Sequence, residues 1–385
     1  MMEILKLGDF ASFKYGKMPD KKKISDSGRY PVYSGYRYVG YYDEYNTEAN
    51  QLIIVARGVG GTGDVKITKE KCYLTNLSIV ADIDETIALP EYLYYYYLPR
   101  NLRYLDSGSA QSQITISDLE RVEIPLPSVE EQRTICSYLK MLDNKISVNN
   151  EINQNLQEQA NIVFNEWFGC HLRESSVPLG WSESALGDLD VLITDYVANG
   201  SFKSLADNVQ YLEEKTNNVL IRLTDYNNNY SSDMVYISDD AYEFLAKSKL
   251  FGDEIIISNV GANVGTVFRC PRLDLRMSLG PNAVLLRSSI YEHYLYHLFI
   301  SDFGKYLLNS IVTGSAQPKF NKTNFRSLRI FVPDRDSIEK FNKLYAPIYE
   351  RIALNAKENS RLTEIRDTLL PRLMSGDIDV SSINI

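Results

Sequence analysis

At 385 residues, with 44% hydrophobic and 24% charged side chains, the chain has room for two or three domains with sizeable cores. A net charge of −9 argues against a protein held to nucleic acid mainly by bulk electrostatics. No apolar run approaches the ~18 residues of a membrane span, no signal-peptide pattern opens the chain, and Cys72, Cys136, Cys170 and Cys270 are scattered without CxxC spacing. The expectation is a cytoplasmic protein with reduced thiols and no membrane partner.

Residues 1–128 read as a mixed α/β domain. Ile4 to Asp9 opens it as strand and turn, the Tyr- and Gly-rich stretch Tyr30 to Tyr45 alternates as β-structure, and Leu52 to Ala56 reads as a buried strand. Pro90 to Leu98 reads as a short helix begun by proline. Its tyrosines, Tyr92 to Tyr97, suit burial beside Leu93 and Leu98 better than base stacking.

Residues 129–168 then follow a heptad. Ile135, Leu142, Asn149, Leu156 and Val163 form one seam, and Leu139, Ile146, Asn153, Ala160 and Trp167 form the other. A second mixed domain, 169–335, carries the same signs as the first. Leu186-Gly187-Asp188 echoes Leu7-Gly8-Asp9, Gly261 to Gly265 echoes Gly58 to Gly63, and Tyr294-Leu295-Tyr296 echoes Tyr92-Leu93-Tyr94. Residues 336–376 repeat the heptad with Phe341, Ile348, Asn355, Leu362 and Leu369, beside Tyr345, Ile352, Asn359, Arg366 and Leu373, and 377–385 is a tail. Gly-Ser-Ala-Gln at 108–111 and at 314–317 stands at one fixed distance before each helix. The whole is α+β: two target domains separated by two long antiparallel helices, paired within the chain as a pseudo-two-fold repeat. About 40 residues at ~1.5 Å each give a rod of roughly 60 Å. Asparagines inside the stripe fix register at a cost in stability.

This plan resembles the specificity subunit of type I restriction–modification systems over essentially the whole chain. The paired Gly-Ser-Ala-Gln turns carry the likeness, with Ile124-Pro125-Leu126-Pro127-Ser128-Val129-Glu130-Glu131-Gln132-Arg133 and Leu369 to Gly376. The second copy departs at Val332 to Ser337, which lacks Glu-Glu-Gln. The resemblance implies a non-catalytic chain whose two domains each read one half of a bipartite site on double-stranded DNA. It also implies docking of two modification subunits that methylate adenine N6 with S-adenosylmethionine, and of restriction subunits that use ATP and magnesium. No cofactor is expected on this chain itself. A coiled-coil scaffold without DNA specificity, or a recognition portion related to fused restriction–methyltransferases, are the alternatives.

A search for chemistry agrees with that expectation. No Asp/Asn-Pro-Pro-aromatic motif and no G-x-x-x-x-G-K-[ST] loop occur. Gly58-Val59-Gly60-Gly61-Thr62-Gly63 fits G-x-G-x-x-G, but Asp64 to Lys69 alternates like a strand where a dinucleotide site needs a helix. His293 and His297, four apart, lack a third metal ligand and read as ordinary helix contacts. No metal site is expected.

DNA contacts call for Lys and Arg on phosphates, and for Arg, Asn, Gln, Ser and Tyr on base edges. The first domain offers Lys17, Lys21, Lys22, Lys23, Tyr36, Arg37 and Arg57, with Ser109, Gln111 and Gln113 near the helix base. The second offers Arg222, Asn227, Asn228, Asn259, Arg269, Arg272 and Arg276, with Ser315, Gln317 and Lys319. Each has a rival reading as a solvated or fold-supporting residue. Residues 1–128 hold 15 Lys+Arg against 17 Asp+Glu, and 169–335 hold 16 against 19, so the chain alone is expected to bind DNA weakly.

Overall fold

A computed structural model describes residues 2–58, 61–106, 112–173, 179–230 and 234–378. The chain divides into two compact units, residues 1–147 with 360–385, and residues 148–359.

In the first unit, β1 (Glu3–Lys6) pairs antiparallel with β9 (Glu123–Leu126), so the domain is clasped by its own ends. Between them lie β2 (Ala11–Tyr15), β3 (Tyr30–Ser34), β4 (Arg37–Tyr42), β5 (Leu52–Val55), β6 (Val65–Ile67), β7 (Tyr73–Leu74) and β8 (Ser78–Ile83). They form a four-stranded sheet, β2-β8-β5-β6, and a three-stranded sheet, β4-β3-β7. Leu52 to Val55 is buried on both faces, which explains its unbroken apolar run. Helix α1 (Pro90–Tyr97) packs Tyr92, Leu93, Tyr95 and Tyr97 into the main core. Helix α2 (Ile116–Glu120) is capped by Thr115 and lies so close to Gly8 that a Cβ there would meet the Glu120 carbonyl at 2.9 Å.

Helix α3 (Val129–Phe164) has its first 19 residues in this unit. The most specific sequence motif has a structural purpose here. Ser128 and Glu131 form a reciprocal cap, with the Ser128 N–H and hydroxyl donating to the Glu131 carboxylate at 2.9 and 2.7 Å. Gln132, fully buried, accepts from Leu89 N–H at 2.9 Å and donates to the carbonyls of Ile87 and Pro127 at 3.0 and 2.9 Å. One amide thus satisfies three backbone groups that burial would otherwise leave without partners. Further along α3, the Asp143 carboxylate accepts from Tyr95 at 2.7 Å and from Arg366 at 2.8 Å. Leu370, Leu373 and Met374 join the same core as Ile135 and Leu139.

The second unit repeats this plan. Its strands are β10 (Ser182–Ala185), β11 (Leu192–Asp195), β12 (Asn218–Ile221), β13 (Val235–Tyr236), β14 (Lys249–Leu250), β15 (Ile255–Ser258), β16 (Val267–Arg269), β17 (Arg276–Leu279), β18 (Ala283–Arg287) and β19 (Arg329–Val332). β10 clasps β19, and β11-β18-β15-β16 reproduces the order of the first unit's four-stranded sheet. The other sheet, β13-β12-β17-β14, keeps the parallel pair seen as β3-β7 and adds an edge strand. Helix α4 (Glu292–Ile300) corresponds to α1, and α5 (Lys322–Arg326), capped by Asn321, approaches Gly187 as α2 approaches Gly8.

Helix α6 (Arg335–Ser375) runs antiparallel to α3. Asp334 caps it through Ser337, and the buried Ile338 stands where the first copy has Gln132. The asparagines predicted inside the stripe are paired, with Asn149 and Asn355 buried and Asn153 and Asn359 half-buried. Asn149 donates to Asn359 at 2.9 Å, Asn355 to Asn153 at 2.8 Å, and Asn359 to Asn150 at 2.8 Å. Of the predicted seam residues, Ile135, Asn149, Phe341 and Asn355 are buried, and Leu142, Leu156, Val163, Ile348, Leu362 and Leu369 are half-buried.

The heptad needs correction at the end of α3. Ala160, Phe164 and Phe168 are the buried residues there, and Trp167 remains 38% exposed. Phe164 packs on Phe341, and a stretch of π-helix at Asn165–Gly169 brings Phe168 inward against the same ring. Tyr349, absent from the predicted seam, is also buried.

Candidate nucleic-acid interface

In the first unit, several loops meet beyond the end of β5. Ala56 N–H donates to the Leu77 carbonyl at 2.8 Å, and Ile114 N–H donates to the Ala56 carbonyl at 2.9 Å. The next residue, Arg57, forms an antiparallel bridge with Gln113. The Arg57 guanidinium lies 5.9 Å from the ring centre of Tyr15. The tip of the β3–β4 hairpin reaches the same place, since a Cβ on Gly35 would stand 3.6 Å from the Arg57 carbonyl.

Tyr36, at that tip, holds a φ of +62°, which a tyrosine rarely adopts. Its hydroxyl donates to the Ile67 carbonyl at 2.8 Å and its ring stacks on Tyr33 at 5.2 Å, so the strained turn is pinned. Burial pushes that hydroxyl up to about 12. Lys17 N–H donates to the Leu74 carbonyl at 3.0 Å, which sets Lys17 beside the turn between β7 and β8. Lys17 and Arg37 are exposed. Lys21 to Lys23 are exposed too, but they lead into Ser25, which pairs with Tyr41 at the other end of the hairpin.

Gly63, at φ +90°, ends the glycine-rich turn, and its carbonyl accepts from Leu102 N–H at 2.8 Å. A Cβ there would stand 2.4 Å from the backbone nitrogen of Arg103, so only glycine fits. Strand β6 follows it, not a helix.

The second unit builds the same ladder. Asn259 N–H donates to the Asn282 carbonyl at 3.0 Å, Phe320 N–H to the Asn259 carbonyl at 3.1 Å, and Val260 bridges Lys319. Asn259, Val260, Lys319 and Phe320 therefore occupy the places of Ala56, Arg57, Gln113 and Ile114. Thr313 and Lys319 exchange backbone hydrogen bonds at 2.8 and 2.9 Å, closing the turn that presents Ser315 and Gln317 to solvent. Ser109 and Gln111, in the first copy of that turn, lie outside the described residues.

Residues 1–158 match the family described as "Type I restriction modification DNA specificity domain". The chain is 26% identical over 316 residues to the type I restriction enzyme MjaIX specificity subunit of Methanocaldococcus jannaschii, covering 76% of this chain and 70% of that one. It is 24% identical over 377 residues to the HindI specificity subunit of Haemophilus influenzae, covering 78% and 80%. Its fold matches the crystal structure of a type I restriction–modification S subunit from M. genitalium with a TM-score of 0.61, at 18% identity and over 97% and 96% of the two chains. The match to that family lies in residues 1–158, and over most of its length the chain is similar to type I specificity subunits.

Those relatives are named as the specificity subunits of their restriction enzymes. Among the described residues of this chain, no group of three or more His, Cys, Asp and Glu stands ready for a metal. No described helix is long and apolar enough to cross a membrane.

The arginine candidates of the second domain are held by carboxylates of their own unit. Arg222 grips the buried Asp225 with two bonds of 3.0 and 2.7 Å. Arg272 meets Asp253 at 2.5 Å and Glu350 at 2.7 Å. Arg276 meets Asp239 at 2.9 Å, pairs with Glu243, and lies over the ring of Tyr242. Arg269, with a side chain only 12% exposed, is held between the rings of Tyr296 and Tyr349, its guanidinium carbon 4.4 and 3.9 Å from their centres. It reaches Glu292 at 3.2 Å and His293 Nδ1 at 3.0 Å. Burial raises the Glu292 carboxyl to about 7 against the pull of Arg269, while burial and Arg269 lower His293 to about 4.

His297 is taken up by Asn161 at 2.9 Å and Tyr349 at 2.7 Å, so both histidines are packing residues. Asn227 and Asn228 stay exposed at the end of a short helix. Leu77 and Asn282, which complete the two ladders, and Tyr15, which faces Arg57, carry no short motif; the aligned hydrogen bonds of the two copies reveal the first two, and the ring contact the third.

Proposed function

We propose that each β-rich domain reads one half of a bipartite site on double-stranded DNA, through the loops that meet beyond β5 and β15. Two modification subunits, acting with S-adenosylmethionine on adenine N6, dock around α3 and α6. Restriction subunits using ATP and magnesium complete the enzyme. The observation that carries this reading is the repeated ladder with exchanged side chains: Ala56, Arg57 and Gln113 in one copy, Asn259, Val260 and Lys319 in the other. One backbone frame bearing two surfaces suits one task on two different sequences.

The experiment is co-expression of the full chain with its modification partner in a methylation-free host, followed by genome-wide mapping of N6-methyladenine. A bipartite motif with an unread gap is the expected result. A stable complex that leaves no methylation would refute the reading and favour a scaffold.

A further inference from the structure

Residues 57 and 260 stand at one station of the repeated frame, each bridged to the residue that opens the run into the next short helix. We propose that Arg57, seated across its bridge from Gln113, reads a base edge in the half-site of the first domain, and that Val260 with Lys319 holds the same station in the second. This rests on the half-site reading above and deepens it to named positions.

The first observation is that Arg57 is unmatched. Arg222, Arg269, Arg272 and Arg276 each meet a carboxylate, but among the described residues the Arg57 guanidinium has no ion pair and no hydrogen bond. Its Nε is nevertheless buried. A buried donor without an acceptor is costly. The fold keeps this one at the end of the sheet, where a Cβ on the neighbouring Gly58 would meet nothing within 4 Å among the described residues. A donor fork left without acceptors there is suited to acceptors that arrive with a ligand.

The second observation separates base from backbone. Phosphates look alike in both half-sites, so a phosphate contact would call for a cation at the same position of the frame in both copies, whereas the cations stand on opposite sides of the bridge, Arg57 in one copy and Lys319 in the other. Position 260 is valine. A side chain that changes from arginine to valine on an unchanged ladder behaves as a reader of sequence. The arginine fork matches O6 and N7 of guanine, and an apolar side chain suits the methyl group of thymine.

The test uses the full chain with its modification partner and reads the methylated motif. Arg57→Lys keeps the charge and removes the fork. The expected outcome is loss of preference for guanine at one position of one half-motif, on the order of 10-fold or more, with the other half-motif unchanged. The paired exchange Arg57→Val with Gln113→Lys should alter the same half-motif, and Val260→Arg only the opposite one. The unchanged half serves as the control for folding and assembly in each sample. An unaltered motif with uniformly weaker methylation would mean a phosphate contact and would overturn the proposal, as would wild-type methylation by Arg57→Lys. Failure of the half-site reading itself is recognised separately, because the unsubstituted chain would then give no bipartite motif.

Discussion

The paired asparagines make a quantitative prediction about the helices. Asn355 is 1% exposed and its amide donates to Asn153 Oδ1 at 2.8 Å, while Asn153 donates to the Ile352 carbonyl at 3.3 Å. Asn355→Ala removes the donor and leaves the Asn153 oxygen in an enclosed seam without it. That orphaned acceptor is expected to cost about 1–3 kcal/mol. Replacing both residues by leucine removes donor and acceptor together, and is expected to restore stability to within about 1 kcal/mol of the parent or above it. The coupling between the two positions should therefore be about 1–2 kcal/mol. Because a chain of this size need not unfold in one step, the assay is hydrogen exchange of the helical amides in 148–164 and 335–359, read against urea. Strictly additive single and double variants, with Asn355→Ala costing under about 0.3 kcal/mol, would refute the reasoning.

Other outcomes follow from the same geometry. Gln132→Leu keeps the volume but strips partners from Leu89 N–H and from the Ile87 and Pro127 carbonyls; calorimetry should show a loss of about 2–4 kcal/mol, against little change for Ile338→Leu at the matching place. The neutral His293, lowered from 6.5 to about 4, contributes stability that is present above pH 6.5 and lost as pH falls through about 4. Glu292, raised from 4.5 to about 7, acts in the opposite sense, its contribution being present below pH 4.5 and lost as pH rises through about 7. Glu292→Gln removes that opposing contribution, so melting between pH 6.5 and 4 should fall more steeply than in the parent; parallel curves would contradict the assignment. Titration of the isolated chain onto duplex DNA should show weak binding that drops steeply with salt, and tight sequence-specific binding at physiological salt would count against it.

The parts of the fold that were legible in the sequence are those governed by local repetition. Heptad spacing identified the helices, and the burial of Asn149 and Asn355 follows from their place in the stripe. Trp167, 38% exposed, was misjudged as a seam residue because a π-turn changes the spacing without leaving any mark in composition. The arginines were harder still. Arg272 finds Glu350, and Arg269 finds the ring of Tyr349, across some eighty residues of sequence. Such pairs depend on which helix face a domain rests against, and single-sequence periodicity does not carry that information.

The clasp between β1 and β9, repeated between β10 and β19, gives each domain neighbouring points of entry and exit. Glu3 faces Leu126 and Ser182 faces Val332, so whatever is folded between them leaves through the same doorway it came in by. A replacement insert of different length and surface has to restore only a four-residue ladder to remain attached. Such a chain can exchange one domain for another as a cassette while its two long helices stay as they are.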